Sequence, residues 1–537
     1  MVTRLLHGVP ARVFEPTDGL PRKPEVDAVC GACMLEPMFR PSRALCSLAL
    51  VGLLVGAACS SEGGGEGASP STTTTSSSTS TSTSTAAGDD PTTTTTIAVP
   101  ESTTTIAQST PRVTGPAQVK PGPAQPPAAS CPAVPERATP RSDRPTYKLD
   151  VDVRLAEGIV VGSQTVRFTP DVATDRLVFR LWANAPRIVR AGGKIDVALE
   201  GAQQPNPTTL VLPRQLKAGE TTEVSMTWQL TLPTATSNDR IARTGDAVRL
   251  GSFFPVLSWH PGLGWATEAP TSGFAESSLS LPADFDVTAK VPEGSQLLAT
   301  GVNDAPDHWV ASGVPDWAMS VGSFRTVTGQ ADGGVAVSVG VDRQVGDAPG
   351  PYLDKVIAAL NDFSKRFGPY PWPSYTLALT PELSGGIEYP MHVMQGPGTL
   401  GRTTSHEVGH MWFYGLVATN QGATPWIDEG LATWAEARFE GTVEETKAKT
   451  IPAVGQGRAG EGMAFWESRQ SAYYRSVYVQ GAQAVAALGS PDLVDCALRQ
   501  LVARQAYRVT GSGEVIAALS TVAPDAAAVL ARYGIAG

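Results

Sequence analysis

Histidine is scarce in this chain, with six in 537 residues, so an ordered pair of them at a fixed spacing is a rare event. Clustered basic residues are missing: no run of five or more Lys and Arg occurs, and the formal net charge is −10. Phosphate backbones are bound through clustered cations, which excludes nucleic acid as a partner. The mild acidity implies only that the chain is soluble. The apolar run 45–58 has 14 residues, short of the roughly 20 that span a bilayer as a helix. Cysteine is sparse too, at six. Cys30 and Cys33 form a CxxC without a second pair and read as an accident of a leader segment. Cys46 lies inside the apolar run and Cys59 ends it, so only Cys131 and Cys496 remain for a folded exported part. In an oxidising compartment these two can pair; the sequence leaves that open, because pairing depends on geometry.

The N-terminal third is organised for delivery. Residues 1–37 carry no helical or strand period and are expected to be an unstructured leader, with translation from Met34 or Met38 as the alternative. Arg40 and Arg43 then precede the apolar run, as in a signal peptide. Its end, Gly56-Ala57-Ala58-Cys59, resembles a bacterial lipobox, with Gly56 where Leu is usual. Residues 38–59 are therefore expected to be a lipoprotein-type signal peptide, with Cys59 lipid-modified and the protein exported and held at a membrane. Residues 60–145 are rich in Ser, Thr and Pro and poor in large apolar residues, so nothing offsets the entropy of ordering them. The expectation is a disordered linker spanning on the order of 50 Å as a flexible coil.

From Tyr147 the pattern alternates apolar and polar, and strand-like segments follow at 159–168, 176–181, 210–212, 223–232 and 317–326. Gly, Pro, Asn and Asp punctuate them, which predicts an antiparallel β-sheet domain over 146–335. After Gly350 the period becomes helical over 352–367, stopped by Gly368-Pro369-Tyr370-Pro371, and a strand follows at 374–380. The rest reads mainly as helices, most clearly at 480–488 and 524–533. The fold class is multi-domain α+β, the second domain (336–537) being mainly helical with a small mixed sheet.

The chemistry concentrates at His406-Glu407-Val408-Gly409-His410. Histidines four apart share one helix face and can offer a metal two imidazole nitrogens. Glu407 between them stands where it can take a proton from water activated by the metal. Eighteen residues separate His410 from Glu429, which opens a helix-like stretch at 430–440. A glutamate from a neighbouring helix completes His2Glu and leaves a fourth position open, the pattern of a catalytic rather than a structural zinc. His260 and His392 read as packing residues, though His392 follows Glu388 closely enough to line a cleft.

With Glu429 inside Asp428-Glu429-Gly430-Leu431-Ala432, the chain resembles the gluzincin metallopeptidases of the membrane-alanyl aminopeptidase family, which includes leukotriene hydrolase. Gly385-Gly386-Ile387-Glu388-Tyr389 is similar to that family's G-x-M-E-N signature, and Tyr478-Val479-Gln480-Gly481-Ala482 to its Y-x-K-G-A segment. The resemblance runs from about Tyr147 to the C-terminus and implies a thermolysin-like catalytic domain behind the β domain. It implies one Zn2+ held by His406, His410 and Glu429, with Glu407 as general acid/base and Tyr478 donating to the oxyanion. It also implies that Glu388 pairs with the free α-amine of a peptide while the Gly385, Gly386 and Ile387 backbone runs along the substrate. Ile387, Tyr389 and Gln480 depart from the family pattern, no β-domain glutamine for the amine is found, and the sequence implies a short form without the C-terminal helical domain. The expected function is zinc aminopeptidase; the alternatives are an endopeptidase or other hydrolase on the same scaffold, or an inert cell-surface binding protein.

Overall fold

The computed structural model describes residues 131–235, 239–271 and 279–537. The signal-peptide reading, its lipid-modified Cys59 and the linker up to residue 130 lie outside the described residues. Among the described residues no helix is long and apolar enough to cross a membrane.

A seven-stranded sheet organises the first domain. Its strands are β1 (Thr146–Arg154), β2 (Ile159–Phe168), β3 (Lys194–Ala198), β4 (Thr222–Thr231), β5 (Ala283–Lys290), β6 (Val302–Ala305) and β7 (His308–Val314), in spatial order β6-β7-β5-β1-β2-β4-β3. β4 alternates buried and exposed residues almost without fault, the period that a sheet with one wet face demands. The buried face gathers large aromatics: Tyr147 stacks on Phe285 with ring centroids 4.8 Å apart, and Trp228 packs edge-on against Phe253. The sheet is not antiparallel throughout, as the sequence had suggested. β1 and β5 run parallel, which the long excursion between them permits.

The stretch read as one strand at 317–326 is two. Met319–Gly322 pairs with Ala247–Leu250 and Gln296–Ala299 in the first domain, while β8 (Phe324–Ala331) turns back on β9 (Val335–Asp342) in another sheet. The break falls at Gly322-Ser323, where the Asp342 carboxylate accepts the Ser323 N–H, and a Cβ on Gly322 would lie 2.6 Å from that oxygen. The second sheet therefore starts at Phe324, ahead of the boundary expected after 335. It is completed by β10 (Ser374–Leu379), β11 (Gly386–Tyr389) and β12 (His392–Gln395), in order β8-β9-β10-β12-β11, with both parallel and antiparallel pairs. β11, which carries Glu388, is its edge.

Helices pack on this sheet and behind it: α1 (Pro349–Phe367), α2 (Arg402–Gly409), α3 (Leu431–Glu440), α4 (Gln480–Ala486) and α5 (Pro491–Gln505). α1 opens on Pro349, whose missing N–H is no loss in a first turn, and buries Val356, Leu360, Phe363 and Phe367 along one face. Asp495 on α5 accepts from Arg366, Arg438 and the Trp434 indole, fastening α1, α3 and α5 together.

The expected linker is not free up to residue 145. Cys131 forms a disulfide with Cys496 of α5, with Cα atoms 5.8 Å apart. Gln500 donates to the carbonyls of Pro132 and Ala133, Ala138 N–H to the Ala503 carbonyl, and Arg137 to the Pro369 carbonyl. Residues 131–138 are thus a strap lying on the second domain, and Arg144 reaches Asp284 of β5 before the chain enters β1.

Candidate active site

α2 brings its two histidines to one face, one turn apart, with imidazole centroids 4.6 Å apart. The helix is buried from Thr403 to Gly409, because Gly409 lets it approach α3 closely: a Cβ there would sit 3.3 Å from the Ala435 Cβ. Each ring is held from behind. His410 Nδ1 lies 2.6 Å from Asp428 Oδ1, and His406 Nδ1 lies 3.5 Å from Glu436 Oε2. Carboxylates on the Nδ1 side leave both Nε2 atoms facing inward, the usual way proteins orient imidazole ligands.

Glu429 and Tyr478 arrive on two wide turns of π-helix, Trp426–Gly430 and Arg475–Val479, each leading directly into α3 or α4. A π-turn holds one residue more than an α-turn, so it rotates its side chains out of the register of the helix that follows. The first turn touches the start of α4, which the second turn leads into, through Gly430 and Gly481: a Cβ on Gly430 would fall 3.0 Å from the Gly481 Cα. That contact lets the Tyr478 hydroxyl donate to Glu429 Oε1 at 2.6 Å, while its ring stacks on His406 at 5.6 Å.

The other oxygen, Glu429 Oε2, lies 3.1 Å from His406 Nε2 and 3.4 Å from His410 Nε2, and the two nitrogens are 3.0 Å apart. Bonds of 2.0–2.1 Å on a tetrahedral metal place ligand atoms about 3.3–3.4 Å from each other, so the triangle has the size zinc requires. Charge points the same way. Glu388, Glu407, Asp428 and Glu429 are all buried here against two imidazoles. Burial raises Glu407 to about 8 and Glu388 to about 7, against the opposing pull of His410. For Glu429 burial also works upward, but His410 and the hydrogen bonds from both histidines outweigh it and hold it at about 2. Burial works to lower His410, yet Asp428 and Glu429 drive it well above the ordinary histidine value. Surplus buried carboxylate asks for a cation, and Glu407 Oε2 is buried without a hydrogen-bond partner. The donor set and that orphaned oxygen fit zinc.

Glu407 is crowded from the sheet side by β11. A Cβ on Gly386 would lie 2.4 Å from the Glu407 carboxyl carbon, so only glycine fits between them. Gly385, at φ 82°, turns the chain into this edge and accepts the Gly396 N–H. Ile387 points away into a small cluster with Ala318, Leu383, Tyr389 and Met394. Glu388 is nearly fully buried on the site side and accepts from Gln421 Nε2 at 3.3 Å. Tyr389, where the family signature has Asn, turns into the first domain: its hydroxyl is 3.4 Å from Ser252 Oγ, and a Cβ on Gly251 would lie 2.1 Å from it. Gln480, where the family has Lys, donates to the Gly455 carbonyl and stands outside the cluster. The structure thus gathers Gly386, Glu388, His406, Glu407, His410, Glu429 and Tyr478. Sequence reasoning missed Gln421, Glu436 and Gly251, none of which lies in a motif. His392 is fully buried between Thr376 and Ser320 hydroxyls, away from the cluster.

No protein-family model matches the chain. Leukotriene A-4 hydrolase from Xenopus laevis is 29% identical over 96 residues, 16% of this chain and 16% of the relative. Aminopeptidase B from Rattus norvegicus is 32% identical over 103 residues, 18% of this chain and 16% of the relative, so each match spans about a sixth of the relative's own length. Among solved structures, an M1 zinc metallopeptidase from Deinococcus radiodurans superposes with a TM-score of 0.51 at 20% identity, covering 74% of this chain and 94% of that one. A mutant of that protein has been solved with a Tyr-Ser-Ala substrate. The chain therefore has the two-domain fold of the M1 zinc metallopeptidases. The resemblance to gluzincins of the membrane-alanyl aminopeptidase family, first read from motifs, holds against known sequences and structures alike.

Proposed function

We propose that the chain is a zinc aminopeptidase that removes N-terminal residues from peptides. The observation that carries this is the triangle of His406, His410 and Glu429 donor atoms beside the orphaned Glu407 carboxylate. One zinc held there would supply Lewis-acid polarisation of a carbonyl and acidification of water. Glu407 takes the proton of the attacking water and returns it to the leaving amine, a role suited to a carboxyl that burial lifts toward neutrality. The Tyr478 hydroxyl, already beside Glu429, turns its O–H to the oxyanion as charge develops there. Glu388 receives the substrate's α-ammonium, and the free edge of β11 offers backbone groups to the peptide. A fixed distance from Glu388 to the metal makes the first peptide bond the one that is cut.

The test uses the zinc-loaded chain with paired peptides, one free and one acetylated at the amine. Wild type is expected to hold one zinc per chain and to cleave only the free form. Glu407→Gln should keep the zinc and lose turnover by about 10²-fold or more. Cleavage of the acetylated peptide at a comparable rate would instead favour the endopeptidase reading.

The same proposal places the enzyme outside the cytoplasm, tethered through Cys59. The Cys131–Cys496 disulfide supports export, since such bonds persist in oxidising compartments. Mass spectrometry of the mature N-terminus tests it: an unmodified or absent Cys59 as first residue rules out the lipid anchor.

A further inference from the structure

Gln421 lies just past the short strand Val417–Thr419, in a turn closed by Asn420, whose side chain accepts the Ala423 N–H and whose carbonyl accepts the Thr424 N–H. It is buried. Its Nε2 donates to Asp428 Oδ2 at 2.8 Å and, by a longer bond of 3.3 Å, to Glu388 Oε1. The second Asp428 oxygen holds His410 Nδ1 at 2.6 Å. An unbroken line of hydrogen bonds therefore joins Glu388 to one corner of the metal triangle, and Gln421 is its middle link.

The chemistry of that link is particular. A primary amide carries two N–H groups on one nitrogen and no charge. It can serve two carboxylates at once, which a hydroxyl with a single hydrogen cannot. A lysine or arginine there would neutralise the negative charge with which Glu388 attracts an ammonium. Without the amide, Glu388 and Asp428 would face each other as like charges in a buried space, and Glu388 would be free to turn away. A carboxylate that must meet an ammonium at one set distance from a metal gains from being held before the ligand arrives.

We propose that Gln421 is the positioning residue of the amine subsite: by tying Glu388 to Asp428 it fixes the distance between the amine anchor and the metal, and so sets the preference for ligands with a free α-ammonium. The inference rests on the aminopeptidase reading and acts through Glu388, without contact to the reacting atoms.

Calorimetric titration of the zinc-loaded full chain with an amino-acid amide and its des-amino counterpart separates the two ideas. Wild type is expected to bind the amine form more tightly. Gln421→Met, similar in size but unable to donate, should cut that preference by about tenfold, with zinc content and Tm retained. Gln421→Asn, which keeps the amide on a shorter stem, should show the same loss and serves if the methionine variant does not fold. In a Glu388→Gln background, Gln421→Met should add less than about twofold, because both act through one carboxylate. A wild type without preference would overturn the aminopeptidase reading and this inference with it. Full preference retained in Gln421→Met overturns the inference alone. Equal weakening of both ligands with loss of zinc, or independent losses in the double variant, assigns Gln421 a structural role and also overturns it.

Discussion

Gly386 shows how one missing methyl group makes room for a buried carboxyl. The space a Cβ would fill is taken by the Glu407 carboxyl, at 2.4 Å. Gly386→Ala should push that carboxylate aside and lower kcat on free-amine peptides by about 10²-fold, within the range a positioned acid/base contributes. Zinc content should stay unchanged, since neither histidine nor Glu429 is touched. His392 provides a second test at this scale, on stability. Burial between Ser320 and Thr376 lowers its pKa to about 3. The unfolded histidine titrates near 6.5, so between about 6.5 and 3 the unfolded state binds more protons. Its contribution is therefore whole above pH 6.5 and is lost progressively as pH falls toward 3, at up to about 1.4 kcal/mol per pH unit. Replacing it by glutamine, which keeps polar contacts and cannot charge, should flatten that acid limb in urea titrations at pH 7 and 5. The motif residues were legible because the chemistry prescribes both type and spacing: two histidines on one helix face, a base between, a third donor downstream. Gln421 was not, because a polar residue in a turn looks the same whether it meets solvent or two buried carboxylates.

Among the elements, the two π-turns matter most. Trp426–Gly430 and Arg475–Val479 fall in a region that the sequence shows only as mainly helical, because one extra residue in a turn does not disturb the apolar period enough to be seen. The contact of Gly430 with Gly481, in the first turn of α4, is what sets Tyr478 against Glu429. Gly481→Ala inserts a methyl where 2.9 Å separates its Cβ position from the Gly430 Cα. Backbone cannot yield as a flexible side chain does, so a cost of about 1–3 kcal/mol is expected, read as a lower denaturant midpoint. Turnover should fall beyond what the stability loss explains, because the Tyr478 hydroxyl is displaced. The strands were easier: β2 and β4 alternate cleanly and stand where the alternation placed them. The 317–326 segment was misread as one strand although its large apolar residues shift from odd positions (Trp317, Met319, Val321) to an even one (Phe324) across Ser323, where the Asp342 contact diverts the chain to a second sheet.

On the scale of the whole molecule, the β domain is the back wall of the strand that carries Glu388. β11 is pinned by Tyr389 against Gly251 and Ser252, and Ser252 in turn donates to the buried Asp316. The division into a β domain and a catalytic domain was legible from the change in periodicity near Gly350, but this lock was not, since it joins residues far apart in sequence. The strap was also hidden: residues 131–138 have linker composition, yet hydrogen bonds to Pro369, Gln500 and Ala503 fix them. The disulfide that begins it encloses a separation of 365 residues, and bonds of this kind typically add about 2–4 kcal/mol. Limited proteolysis should expose it. A chain cut once between Cys131 and Cys496 should migrate as one species without reductant and as two with it; two species under both conditions would mean the bond does not form. There is also a mechanical side to the arrangement. A pull applied ahead of Cys131 is borne by the sulfur bridge and passes into α5, so β1 and the sheet behind it carry none of the load. A domain that follows the β domain in sequence would thus be the first to take up strain entering through Cys131.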